Sequence, residues 1–215
     1  MKHLFALFSC LVLTESLWAQ DAAESAISHL QNGINCSREE AERLYRTINF
    51  FADGVTSDLT YIASSRDDFA TKQKAINRTI RDYFESGNSI IQVSSISKDP
   101  ENPDIYDFTI RRYLYRLANM KNRYTKVELT FQQDYLGMGQ IYPDGQDFEL
   151  SISLWQIFRG WKDNLLAYQD ATKKKFRLAF KKIGDDKYDV KIKEALATET
   201  IDLNKFYQKF KIEDK

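Results

Sequence analysis

The chain has 215 residues, with 31 basic and 31 acidic side chains, 43% hydrophobic residues, eight Gly and three Pro, a composition that suits one globular domain or at most two small ones. A formal net charge of zero removes the electrostatic case for nucleic acid or an anionic membrane as the main partner, since both select a basic excess. Fourteen Phe and twelve Tyr exclude a disordered tail.

Met1-Lys2-His3 is a short basic start, Leu4 to Leu13 an almost unbroken apolar run, and Glu15 to Gln20 a more polar stretch with a small residue at Ala19. This is the three-part layout of a secretory signal peptide, so residues 1–20 are expected to be cleaved, at Ala19 or Gln20, and the mature protein to reside in the periplasm or outside the cell. The apolar run falls short of the ~18 residues that a spanning helix needs, and no other stretch approaches that length, so no transmembrane segment is expected in the mature chain. Leu7-Phe8-Ser9-Cys10 resembles a lipoprotein signal only faintly, because Phe8 is bulky and the residues after Cys10 stay apolar. Removing the signal takes one base and one acid, so neutrality is kept, and it leaves Cys36 and His29 as the single cysteine and histidine. An intramolecular disulfide is then impossible, and the mature protein must stand on its hydrophobic core.

After a leader over residues 21–37, Ser37-Arg38-Glu39-Glu40 has capping-box spacing, and Ala41, Leu44, Tyr45, Ile48 and Phe51 recur at three and four residues. They predict a helix of about four turns from Arg38, closed by Asp53-Gly54. Ser65 to Asp68 starts a second helix with Phe69, Ile76, Ile80, Tyr83 and Phe84 on one stripe, ended near Gly87. Ser89 to Ile96 reads as a strand, 99–104 as a proline-containing loop, and Ile105 to Met120 as a third amphipathic helix.

The apolar period then changes to two. Val127, Leu129 and Phe131, then Phe148 to Leu154, Phe176 to Phe180, and Tyr188 to Ile192 each alternate with polar residues, predicting four long strands with one apolar face apiece. Turns are expected at Pro143-Asp144-Gly145, over Gly160 to Asn164 and at Gly184-Asp185-Asp186. Gly137-Met138-Gly139 reads as a bend between strands, and a slip in alternation at Leu154-Trp155 as a bulge. An amphipathic tail with Leu203, Phe206, Tyr207 and Phe210 occupies 201–215.

Helices followed by four one-faced strands fit an α+β fold in which helices pack on a single antiparallel sheet, a single domain over residues 38–200. This order of elements resembles the nuclear transport factor two-like superfamily, also called ketosteroid isomerase-like. That resemblance implies a strongly curved, cone-shaped, cystatin-like sheet around a pocket, with dimerisation through the sheet face as a common mode of association. Phe158-Arg159-Gly160-Trp161-Lys162-Asp163, followed by Tyr168-Gln169-Asp170-Ala171-Thr172-Lys173-Lys174, is further similar to exported Bacteroidetes-type members of that superfamily.

Motifs for chemistry are mostly missing. There is no His-Glu-x-x-His and no paired cysteine for a metal, no Gly-x-Ser-x-Gly for a serine hydrolase, and no third glycine after Gly137-Met138-Gly139 for a dinucleotide, so neither metal nor cofactor is expected and no catalytic residue is assigned. Cys36, just before a helix start, is a site where a thiol pKa can fall, though a tolerated small residue explains it as well. Arg111-Arg112 and Lys173-Lys174-Lys175 are read as solvated charges.

The positive signal is aromatic. Tyr113, Tyr135, Trp155, Phe158 and Trp161, with Tyr168 and Asp170, are the candidates to line or rim a pocket, joined by Tyr115 on the third helix. They favour a non-catalytic exported protein that binds a protein partner or a small apolar ligand. One alternative is an isomerase-like or dehydratase-like enzyme in which a buried Asp170 or Asp134 works with a tyrosine. A purely structural accessory domain, its cone filled by its own aromatics, is the other.

Overall fold

A computed structural model describes residues 21–64, 66–96, 98–99, 101–185 and 187–211, with the side chains of Ser64, Lys121, Gln133, Asp134 and Tyr135 outside that description. The signal-like segment, Cys10 included, lies outside the described residues. Helix α1 covers residues 21–34. It is followed by α2 (Arg38–Ser64), α3 (Phe69–Tyr83), β1 (Ile90–Ser95), β2 (Asp104–Thr109), α4 (Ile110–Ala118), a short 3-10 turn (Met120–Asn122), β3 (Lys126–Asp144), β4 (Asp147–Lys162), β5 (Leu165–Gly184), β6 (Lys187–Ile201) and α5 (Leu203–Phe210). Two compact units divide between Ile48 and Asn49, inside α2.

In the first unit, Ser37 caps α2 by accepting from the Glu40 amide, and Arg38 grips Glu24 of α1 with both guanidinium nitrogens at 2.7 Å. Cys36 is a free thiol, and burial, aided by the nearby Glu40 charge, pushes its pKa up. That is the opposite of an activated cysteine.

Among the described residues, the second unit holds six strands, in the order β2-β1-β6-β5-β4-β3. It is an α+β fold on one curved sheet. The four long strands form antiparallel pairs in chain order, as their alternation predicts, but β1 joins β6 in parallel through Ile90–Glu194 and Ile91–Ala195, so the sheet is not wholly antiparallel. The long stretch of chain from β1 to β6, through β2, α4 and β3 to β5, supplies the crossover that a parallel pair requires.

Several elements run past their expected ends. Helix α2 continues through Asp53-Gly54 because Val55, Leu59, Ile62 and Ala63 extend its buried stripe. Gly54 serves close approach there: a Cβ would lie 2.4 Å from the Tyr83 hydroxyl of α3. Residues 104–109 form a strand instead of the first turns of a helix. Ile105 and Phe108 mimic helical spacing, yet Ile105 is 54% exposed and Phe108 8%, as opposite faces of an edge strand require. Thr109 then accepts from the Arg112 amide and starts α4 where Ile110, Tyr113, Leu114 and Leu117 begin a true helical stripe.

Gly137-Met138-Gly139 lies within β3 rather than between strands. Added Cβ atoms would come within 2.5 Å of Ser153 Oγ and 3.0 Å of the Ser151 side chain and carbonyl, so both glycines let β3 run close to β4. The irregularity near Leu154-Trp155 belongs to β3, between Gln132 and Gly137, while β4 stays in unbroken register with β5 there. Likewise β4 passes through Gly160 to Lys162, and the turn is made by Asp163 and Asn164 at φ of 52° and 67°.

The sheet has two differently covered faces. Leu150, Ile152 and Leu154 of β4 face the helices, where Phe51, Ala52 and Val55 of α2 meet them together with Phe176 and Leu178 of β5. On the opposite face, α5 lays Leu203 and Phe206 on Trp155, Ile157 and Ala171. Its start is capped by Asp202, and Lys211 ends it in the left-handed conformation. Elsewhere that outer face carries a ladder of charges in which Glu149 meets Lys193 and Arg177, and Arg177 meets Glu194.

Lys72 of α3 ties the helical layer together. It is 1% exposed, and its ammonium donates to the carbonyls of Ile62 (2.9 Å) and Ala118 (3.3 Å), in the last turns of α2 and α4. Both are helix C-termini, where a cation is favoured and carbonyls lack partners. Lys72→Met keeps the stem but strands both carbonyls, so urea denaturation should show a loss of about 2 kcal/mol or more. Phe206→Ala should cost about 3 kcal/mol in the same measurement, by stripping α5 from Trp155.

Candidate functional site

The second unit contains a cavity of about 270 Å³ enclosed by β1, β2, α4, the 3-10 turn and the middle of β4 and β5. Strand periodicity builds its floor. Tyr168, Asp170 and Thr172 alternate on β5, and the register opposes Phe158 to Asp170 and Gln156 to Thr172, so all five face the same side of the sheet. Helix α4 brings Tyr113, Arg116 and Leu117 to the other wall, one turn apart. Phe108, Met120 and Tyr124 complete the apolar part.

The polar groups of the floor are interlocked. Asp170 is only 4% exposed, and the Tyr168 hydroxyl donates to its Oδ2 at 2.5 Å. That hydroxyl accepts in turn from the Ile96 amide at 3.3 Å and lies 3.4 Å from Ser95 Oγ, which anchors β5 to the end of β1. Thr172 and Thr200 share a hydrogen bond at 3.1 Å across β5 and β6. Gln156 hydrogen-bonds the Tyr113 hydroxyl. Lys174, 3% exposed, donates to the Gln92 carbonyl of β1.

Burial sets the titration of this group. It pushes the Asp170 carboxyl up to about 6, against the hydrogen bond from Tyr168 and the positive charge of Lys174, which pull it down. Burial lowers Lys174 to about 8, a fall that the Asp170 charge opposes. Tyr113 is raised to about 12 by burial, and Tyr168 is raised further by burial and by the Asp170 charge. The site therefore holds a carboxyl that changes charge near neutrality, with two tyrosine hydroxyls that stay protonated.

Of the residues singled out from sequence, Tyr113, Phe158, Tyr168 and Asp170 come together in this cavity. Trp155 does not: odd-numbered positions here point to the outer face, where its ring lies 5.1 Å from Phe206 and 5.8 Å from Phe210. Trp161 lies outside the cavity lining, beyond a register shift at Gly160, with the Lys126 ammonium 4.4 Å over its ring. Tyr115 stacks on Phe69 at 5.9 Å. Tyr135 and Asp134 belong to β3, but their side chains lie outside the described residues. His29 is on α1, in the first unit.

Gln156 and Lys174 are cavity residues that sequence reasoning missed. The signal was the same alternation, two positions from Phe158 and from Thr172. The run Lys173-Lys174-Lys175 is not a uniformly solvated charge block, because a strand sends its middle member to the face opposite its neighbours. Among the described residues, no group of three or more His, Cys, Asp or Glu is placed to hold a metal ion, and no helix is long and apolar enough to cross a membrane.

No protein-family model and no curated protein matches the sequence. Among solved structures, one described as "Rd1NTF2_04 with long sheet" is similar, at 12% identity and a TM-score of 0.31, over 68% of this chain and 99% of its own.

The raised Asp170 predicts a pH dependence of stability. Unfolding returns its pKa from about 6 to about 3.8, so the folded state binds more protons between those values. Stability is then lost as pH rises from about 4 to about 6, by roughly 2–3 kcal/mol. Urea denaturation of Asp170→Asn should lack this fall, while the wild type shows it. Lys174 acts in the other direction at high pH: lowered from 10.5 to about 8, it adds stability as pH rises from about 8 to about 10.5.

Proposed function

We propose that this protein is an exported binding protein whose second unit takes a small, largely apolar molecule with one polar end into the cavity over Asp170. The observation that carries this reading is the cavity's composition. Phe108, Leu117, Met120, Tyr124 and Phe158 offer apolar area, while Tyr113 of the α4 wall, bonded to Gln156 of the floor, and Asp170 supply hydrogen-bonding groups. Such a floor fixes the orientation of a carbonyl, hydroxyl or amine, and the aromatic walls supply affinity. About 270 Å³ of space over this floor supports ligand binding in preference to a cone filled by its own aromatics. The signal-like layout of residues 1–20 supports export.

The test is a fluorescence titration of the full chain with N-phenyl-1-naphthylamine, a neutral apolar probe that brightens on leaving water. Saturable one-to-one binding is expected, and Val93→Phe, which fills the cavity from β1, should weaken it at least about tenfold. Binding that Val93→Phe leaves untouched would remove the cavity from the proposal.

A second reading is favoured by the Asp170 carboxyl itself. Its pKa near 6 suits a base that takes a proton from carbon beside a carbonyl, with the Tyr113 hydroxyl donating to the enolate oxygen until the proton returns. In D2O, the chain should then speed deuterium uptake at the α-carbon of a small cyclic ketone, with a rate that rises through about pH 6. Asp170→Asn should reduce that rate about a hundredfold or more. No acceleration above buffer leaves binding as the sole activity.

A further inference from the structure

We propose that the mouth of the cavity is an anion site, built by Arg112, Arg116 and Arg123, and that the bound molecule carries a carboxylate or phosphate there while its apolar body enters the cavity. This deepens the binding reading above and rests on it for the apolar half alone. A second, shallower hollow of about 380 Å³, lined by these three arginines with Tyr115, Asn119 and Met120, adjoins the cavity and shares Arg116, Met120 and Arg123 with it.

Three observations point to an anion. The first is charge: in a chain of zero net charge, residues 110–126 contain Arg111, Arg112, Arg116, Lys121, Arg123 and Lys126 and no acidic residue. The second is the lack of compensation. Among the described residues, other arginines near carboxylates form ion pairs, as Arg78 does with Asp58 at 2.6 Å, yet none of these three has a carboxylate partner. Asp104, which with Asp170 makes up the acidic part of the cavity lining, is held by Lys98 at 2.9 Å and by the Tyr106 hydroxyl at 3.0 Å.

The third is preorganisation. The guanidinium carbons of Arg112 and Arg116 lie 5.5 and 4.6 Å from the centre of the Phe108 ring, and that of Arg123 lies 5.4 Å from the Tyr124 ring. Both rings are cavity walls. A guanidinium held over a ring keeps in-plane N–H donors for the oxygens of an anion, although Arg123 also hydrogen-bonds the Tyr124 hydroxyl. Asn119 adds a neutral side chain at the same rim, although its amide nitrogen already donates to the Tyr115 carbonyl at 2.8 Å.

The test uses two probes with one skeleton, neutral N-phenyl-1-naphthylamine and its sulfonate, 8-anilinonaphthalene-1-sulfonate, titrated into the full chain and into an R116Q/R123Q variant. The sulfonate should bind about tenfold more tightly than the neutral probe at low salt, with the advantage largely lost in the variant and at high salt. Arg112→Gln, at a residue that lines the hollow and not the cavity, is the control: it should leave binding of the neutral probe unchanged while weakening that of the sulfonate. If the two probes bind alike, or the variant keeps the sulfonate's advantage, the anion site is overturned while the cavity reading stands. If only the sulfonate binds, in an arginine-dependent way, the anion site stands and the cavity reading falls; if neither binds, both fall. Competition with decanoate, decyl phosphate and neutral decanol then separates the sources. Displacement by one anion assigns carboxylate or phosphate, displacement by both assigns a site that reads charge alone, and displacement by decanol only overturns the proposal.

Discussion

Lys72 carries a charged ammonium into the interior of the second unit, where it joins the carbonyl ends of α2 and α4 to α3. The three helices also meet through Arg78 and Asp58, Phe51 and Tyr83, and Phe69 and Tyr115, but Lys72 is the group that bonds the ends of two of them at once, and a buried ammonium left without acceptors would be costly. Lys72 holds the C-terminal end of α4 and the Ser89 and Gly87 carbonyls hold its start, and between them α4 presents Tyr113 and Leu117 on the cavity wall, Arg116 at its mouth, and the 3-10 turn that carries Met120. Close packing elsewhere in the layer follows the same geometry, as where Gly54 admits the Tyr83 hydroxyl against the α2 backbone.

The sheet answers the helices with two faces of different character. Its helix-facing side is apolar along α2 and becomes polar only beneath the cavity, where Gln156, Asp170, Thr172 and Lys174 replace leucine and phenylalanine. Its outer side is covered by α5 over Trp155 and by charged ladders beyond it. A buried polar cluster of this kind is tolerated because nearly every member has a partner, Tyr168 for Asp170, Thr200 for Thr172 and the Gln92 carbonyl for Lys174. The bonds of Thr172 to Thr200 and of Lys174 to the Gln92 carbonyl also join strands, so groups that give the cavity its chemistry also hold β1, β5 and β6 in place.

Much of the site was legible as periodicity and little of it as motif. Alternation put Tyr168, Asp170 and Thr172 on one face, and the same rule, applied to Lys173-Lys174-Lys175, would have turned the middle lysine inward; its reading as a solvated charge came from composition instead of position. Trp155 was misplaced for the reverse reason. Aromatic content marked it as a pocket residue, but its odd position on β4 sends it to the face that α5 covers. At Ile105 and Phe108, three-residue spacing imitated a helix, and only pairing with β1 shows that these residues belong to an edge strand.

By itself the sequence determined the class of fold, the four long strands and their chain-order pairing, the start of α2 at its Ser37 cap, and the amphipathic helix at the end. These are local properties, written in spacing and capping residues that neighbouring positions can read. Tertiary structure alone decided that β1 joins β6 in parallel, that Lys72 closes two helices at once, that Asp170 is desolvated to a pKa near 6, and that three arginines gather at one opening. Those properties arise between residues tens of positions apart, where burial and charge are set by neighbours in space that no local pattern encodes.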